Sequence, residues 1–356
     1  MKFLKYFLLL SIVISSCKTE EDEPTPEFSK DYGKGMYILT DQGVSFYNLE
    51  DVDSLRVMKN GIYKSVNNTS ISQPKSITIK GNQAFIIGDK VYTVDIETFG
   101  SLGSITGFSN PISCVRVDNN RLYVVDKGDA TVKVVDLIKK EIQSHIETGD
   151  GTQPTKIVNN WFRTVIMNGG SSTKAERDSS IVSIDYFTKY DFVVVDDFSG
   201  KLDVGYNPNS AVFGTDDLWV LCKGIYDPNN PVDNTPGTIY QVWPYSVLSS
   251  FFNKTLSGIY NADNLTINKS KSRLFFTAEN GVYITDLGIN PTVHIPGIDA
   301  SFIAINTESI NDSTNVEYLY TNDANQSGLV LKYEAWTGDF VESIVVNGTA
   351  LEVAFY

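Results

Sequence analysis

From about residue 34 onward the chain is written in short apolar runs of five to seven residues, each closed by Gly, Asn, Asp or Pro. The clearest unit is Asn120-Arg-Leu-Tyr-Val-Val-Asp126, then Thr131-Val-Lys-Val-Val-Asp136, Glu141-Ile-Gln-Ser-His-Ile146, Thr148-Gly149 and Gln153-Pro154. Each run has strand length and is bounded by turn formers. Val132 and Val134 alternate with Thr131 and Lys133, and β-branched and aromatic side chains that fit a pleated surface fill the runs, which favours strand over helix. No amphipathic helix is expected beyond the N-terminal residues.

The same cycle returns along the chain. Its first strand starts near Pro74, Pro111, Pro154, Pro208, Ala262, Ile298 and Thr349, in steps of 36 to 54 residues, bracketing the roughly 40 to 50 residues of a four-stranded propeller blade. Second strands follow at Gly35–Thr40, Gln83–Gly88, Arg121–Asp126, Phe162–Met167, Asp217–Cys222, Arg273–Thr277 and Glu317–Thr321. At the N-terminus Gly35–Thr40, Val44–Asn48 and Leu55–Lys59 lack a first strand, whereas C-terminal Leu351–Phe355 is a first strand without the others. The two ends complete one blade, so the expected fold is all-β, a seven-bladed β-propeller closed by pairing N-terminal strands with a C-terminal inner strand, which leaves no long inner edge exposed. A β-sandwich, the alternative, does not explain why the leftover strands make one whole unit.

The segment Tyr123-Val-Val-Asp-Lys-Gly-Asp-Ala-Thr-Val-Lys-Val-Val-Asp136, with Gly149 and Pro154 behind it, resembles the YVTN (YncE-type) repeat of surface-layer propellers. Tyr92-Thr-Val-Asp95, Val182-Ser-Ile-Asp185 and Tyr283-Ile-Thr-Asp286 keep the strand-ending Asp, while Phe46-Tyr47-Asn48 and Trp243-Pro244 depart from it. These aspartates are expected to cap turns between strands. Ala335-Trp336-Thr337-Gly338 resembles the tryptophan-containing turns of quinoprotein propellers, once only.

Lys2 and Lys5 precede an apolar run from Tyr6 to Ile14 and then Ile14-Ser15-Ser16-Cys17. This is the layout of a secretory signal over residues 1–16, and the run is too short to span a bilayer. The cysteine after small residues resembles the lipobox of bacterial lipoproteins, which implies lipidation at Cys17. Residues 17–33 begin Cys-Lys-Thr-Glu-Glu-Asp-Glu-Pro-Thr-Pro, an acidic stretch read as a solvated tether. It resembles the acidic export tag of surface lipoproteins of the Bacteroides group. The propeller is assigned to 34–356, and the expected location is the outer membrane, lipid-anchored and facing the exterior. Net charge is −14, becoming −16 once Lys2 and Lys5 leave with the signal, which disfavours nucleic acid as a partner.

In an up-and-down blade successive turns alternate faces, so second-to-third-strand turns share one face with the connections between blades. There the turns are short, as at Asp41-Gln-Gly43, except for two insertions in neighbouring blades, Asn168–Ser180 and Lys223–Gly237. Loops on a rigid scaffold carry function. Linkers beside them add Tyr206-Asn207 and Tyr260-Asn261, and the second insertion holds Tyr226-Asp227. Tyrosine offers a large rigid face with a polar tip. Lys127, Arg177 and Asp323 fall on the same face. These nine residues are the candidate ligand contacts.

Catalytic readings find little support. His145 and His294, the sole histidines, both fall on outer fourth strands, so no histidine metal site or general base is expected. Gly-x-Ser-x-Gly and phosphate-cradling glycine loops are absent. Asp126-Lys-Gly-Asp129 and Asp323-Ala-Asn-Gln resemble incomplete calcium loops. Cys114 and Cys222 fall in different blades; a disulfide stays open but is not the expectation. No metal and no cofactor is expected.

The anchor and architecture resemble the cobalamin-binding lipoproteins that sit on TonB-dependent outer-membrane transporters. That resemblance implies capture of a small nutrient or glycan (a cobalamin, siderophore, haem or oligosaccharide) and transfer to a transporter partner. The alternative is a structural or adhesive surface protein whose loops bind another protein, and an enzyme ranks third because carboxylate pairs stay invisible until folded. Capture requires an aromatic-lined hollow among Tyr206, Tyr226 and Tyr260; adhesion requires a flat or convex rim.

Overall fold

The computed structural model describes residues 29–49, 56–149, 152–160, 163–170, 177–187, 194–244, 248–287, 290–311 and 314–356. The proposed signal, Cys17 and most of the tether lie outside them. Seven four-stranded antiparallel sheets form the blades of a propeller, and in six of them the strand order from the axis outward follows the chain. The seventh is composite: Ala350–Phe355 is its inner strand, followed by Met36–Thr40, Gly43–Tyr47 and the two-residue Met58–Lys59. Ile38 opposes Val353 and Met36 opposes Phe355, and Gly35 and Tyr356 exchange backbone hydrogen bonds of 3.2 and 3.1 Å. Blades are numbered from this closing blade as one.

The apolar pattern explains the ring. Each middle strand is clamped between two other blades, so both sets of its alternating side chains are buried. In Arg121–Asp126, Tyr123 and Val125 pack towards blade four with Ile157, Ile166 and Val182, while Leu122 and Val124 pack towards blade two with Phe85, Ile87 and Val91. Seven such layers fill the spaces between blades. Burial at about 25 cal/mol per Å² of apolar surface drives their formation.

Three strand-ending aspartates, in blades two and three, cap turns as expected. Asp95 accepts from the amides of Glu97 and Thr98, Asp136 from Ile138 and Lys139, and Asp126 from Ser109 and Asn110 at 2.8 and 2.6 Å. Asp185 and Asp286 instead pair with Arg163 and Arg273.

Three features depart from the sequence pattern. A helix, α1 (Ile62–Asn67), stands in the linker to blade two; at under two turns it shows no helical period, and it is held by buried Ile62 and Tyr63. Its Asn67 side chain donates to the Phe99 carbonyl and accepts from the Ser101 amide. The insertion expected at 168–180 is strand over most of its described length: Arg163–Gly170 and Arg177–Phe187 continue their ladder to the pair Gly170 and Arg177, because nothing in Asn168-Gly-Gly170 stops the pairing. Finally, Tyr32, within the stretch read as tether, packs edge-on against Phe46 and Phe99 at 5.4 and 5.9 Å.

Candidate functional site

A cavity of about 530 Å³ opens on the face that carries the second-to-third-strand turns and the connections between blades. Blades three to six build it. Their inner strands begin there with Thr155-Lys156, Asn209 and Asp263-Asn264; their second strands end there with Lys127, Gly169-Gly170 and the Lys223–Tyr226 stretch; and the linkers supply Asn207 and Asn261.

The blade-five insertion is a folded wall. Ile225 and Thr235 bridge its base with backbone bonds of 2.9 and 3.0 Å, and a 3-10 turn, Pro231–Asp233, shapes its tip. Asn234 accepts from the Asp227 amide at 2.7 Å. Gly224 is required where the wall leaves the strand: its φ is +77° and a Cβ would lie 2.3 Å from the Thr235 carbonyl oxygen. The Tyr226 ring leans on Tyr260 of the next linker, centroids 5.3 Å apart and planes tilted by 37°, which joins the wall to blade six.

Asn207, Asn261 and Asn264 all adopt left-handed backbone, with φ of 56°, 53° and 56°, a conformation asparagine tolerates better than most side chains. Asn207 joins three segments: its amide donates to the Asp178 carbonyl, its carbonyl accepts from the Lys223 amide, and its Nδ2 donates to the Gly224 carbonyl at 2.7 Å. Its Oδ1 is buried and receives no hydrogen bond.

Charge in the cavity is positive although the protein is acidic. Lys127, Lys156 and Lys223 line it against Asp263 alone. Lys223 meets Asp263 at 3.6 Å, and Lys156, at the mouth of the axial channel, reaches Glu352 of blade one at 3.6 Å. Lys127 has no side-chain partner among the described residues.

Of the nine candidates read from sequence, Lys127, Asn207, Tyr226 and Asn261 line this cavity. Tyr260 stands behind Tyr226, and Tyr206 lies on the rim, 46% exposed. The Asp227 carboxylate caps its own turn by accepting from the Asn229 amide. Asp323 belongs to blade seven, where its carboxylate accepts from Asp299, Asn325 and Gln326; burial alone would raise its pKa, but these bonds hold it below the ordinary value. Arg177 begins a blade-four strand, and its side chain lies outside the described residues. Sequence reasoning did not single out Lys156, Lys223, Asn209, Asp263 or Asn264. All but Lys223 sit one to two residues beyond the Pro154, Pro208 and Ala262 marks, at the tops of inner strands, so the repeat register itself was the available signal.

His145 and His294 lie on outer strands, Glu141–Glu147 and Thr292–Pro296. Cys114 and Cys222 are unpaired and buried, and burial pushes the Cys114 thiol up to about 12.

No protein-family model matches the chain, and no curated protein sequence matches it. Solved structures do. A quinoprotein alcohol dehydrogenase-like protein from Bacteroides thetaiotaomicron is 11% identical over 90% of this chain and 78% of its own, with a TM-score of 0.61. Hydrazine synthase from Kuenenia stuttgartiensis is 15% identical, covering 79% and 89%, at 0.59. The β-propeller domain of Cps50 (Swd1) from Myceliophteria thermophila is 12% identical, covering 79% and 90%, at 0.56. At such identities the likeness is one of fold, and the fold it shares with them is the seven-bladed β-propeller.

Proposed function

We propose that this protein is a lipid-anchored surface binding protein that captures a small nutrient or glycan in the cavity of blades three to six and passes it to an outer-membrane transporter. The observation that carries the reading is a concave, polar site on one face, walled by the braced Tyr226 loop. A concavity suits a small molecule, whereas adhesive surfaces are flat, and of the three tyrosines expected to line the hollow Tyr226 does so. Chain geometry supports the anchor: the first described residues lie on the opposite face, where Lys30 pairs with Glu97 at 2.6 Å and the Tyr32 amide donates to the Glu97 carbonyl. A lipid at Cys17 then turns the cavity away from the membrane.

Titration calorimetry of the purified protein against cobalamins, ferric siderophores, haem and oligosaccharides tests the reading. One-to-one binding that weakens at least tenfold in Tyr226→Ala supports it. Silence across the panel, with another protein recovered as the binding partner, favours the adhesive reading, for which the exposed Trp336 and Phe251 side chains, 66% and 58% accessible, are the specific feature.

A further inference from the structure

The donors and acceptors in the cavity define a class of ligand. Four asparagines line it, and each is held by its amide nitrogen to the protein: Asn207 to the Gly224 carbonyl, Asn209 to the Ala262 carbonyl at 2.9 Å, Asn261 to Glu279 at 3.0 Å, and Asn264 to Thr277 and the Ser301 carbonyl. Asn264 uses both of its N–H groups in this way, and the other three use one each. Only Asn209 also receives a bond on its oxygen, from Ser210. Among the described residues the side-chain oxygens of Asn207, Asn261 and Asn264 receive none. That of Asn207 is out of contact with solvent and so beyond a ligand's reach, which leaves the oxygens of Asn261 and Asn264 as the acceptors open to one. An amide oxygen without a donor in the protein can accept one from a ligand. Hydroxyl groups supply it.

The cations supply the second half. Three lysines stand against Asp263, or against two carboxylates when Glu352 is counted, and both pairs are loose at 3.6 Å. A surplus of ammonium groups in a concave site attracts an anion, here within a protein whose overall charge of −14 repels one. Acceptors that ask for hydroxyls, ammonium groups that ask for an anion, and a tilted tyrosine pair at one wall converge on one chemistry.

We infer that the cavity selects a polyhydroxylated anion, a sugar acid or sugar phosphate, with hydroxyls on the asparagine oxygens and the anionic group at Lys127 and Lys223. This rests on the capture reading above and narrows it. A neutral sugar satisfies only the asparagines, and a bare anion only the lysines.

The test is calorimetry on the purified full chain with trigalacturonic acid, its methyl ester, glucose 6-phosphate and inorganic phosphate, at 50 and 300 mM NaCl. The two galacturonides share their hydroxyls and differ in charge. The acid, the sugar phosphate or both bind at least tenfold tighter than the ester and than phosphate, and weaken at the higher salt. Whichever of the two binds tells carboxylate from phosphate. Lys127→Met reduces binding of the charged sugar several-fold and leaves the ester unchanged, whereas Asn261→Gly, which suits the left-handed backbone, weakens both; melting curves confirm that the variants fold. Measurable binding of acid and ester with equal affinity, or charged-sugar binding indifferent to Lys127→Met, overturns the inference. If none of these sugars binds while a cobalamin, siderophore or haem does so in a Tyr226-dependent way, the ligand class is wrong and capture stands; if nothing binds at all, both fall.

Discussion

At the scale of single residues, a buried ionic cluster stabilises the seam between blades seven and one. Glu308, 7% exposed, accepts from Lys332 at 3.0 Å, from Arg56 at 3.4 Å and from the Tyr320 hydroxyl. The Lys332 ammonium also lies 4.1 Å from the Tyr318 ring centroid. Lys332→Ala leaves the buried Glu308 carboxylate with Arg56 as its one cation among the described residues and removes the contact with the Tyr318 ring, so it should cost about 3 kcal/mol, read from urea unfolding. A second residue governs behaviour in alkali. Burial pushes the Tyr92 hydroxyl up to about 12; the amide of Ser72 that donates to it lowers this, and Asp89, to which it donates, raises it. Because its folded value lies above the ordinary 10.0, its contribution is complete below about pH 10 and disappears as pH climbs towards 12. Tyr92→Phe should therefore flatten the fall in urea midpoint between about pH 9 and 11.5. The sequence made part of the site readable at this scale: a linker preceding a strand start must sit on the turn face, which pointed to Asn207 and Asn261. What stayed hidden was the unpaired Asn207 oxygen, since that depends on Asp178, Lys223 and Gly224 meeting from two blades.

At the scale of elements, closure and the blade-five wall invite separate tests. Ile38, fully buried opposite Val353, ties the composite blade together. Ile38→Ala should cost about 3 kcal/mol, the middle of the range for large-to-small core changes, and expose the C-terminal strand to limited proteolysis. The wall is different, because Ile225 and Thr235 already pair across its base. Replacing residues 226–234 with Asn-Gly, a two-residue turn suited to such a bridge, should change stability by no more than about 1 kcal/mol while abolishing capture. Strand order and blade boundaries were legible because turn residues recur at each blade and the end strands complement one another. The insertion at 168–180 misled because a glycine pair reads as loop whether or not the strands beside it keep pairing. Helix α1 was too short for its period to show.

At the scale of the molecule, the two faces have different roles. The N-terminal segment reaches the ring at the Glu97 turn, opposite the cavity, and the 11 residues between Cys17 and Ser29 span at most about 40 Å when fully extended. Lipidation at Cys17 would therefore hold the far face to the bilayer and leave the cavity outward. Since Cys114 and Cys222 are buried, a membrane-impermeant maleimide on intact cells should label Tyr226→Cys several-fold faster than Thr337→Cys; equal rates would contradict this orientation. The central claim is that the face of blades three to six is where ligand is held. A crystal structure with the tightest ligand from calorimetry tests it most directly. The account predicts that molecule between Tyr226 and Lys127, with donors on the Asn261 and Asn264 oxygens. Density confined to the axial channel below Glu352, or to the aromatic rim of the opposite face, would contradict it.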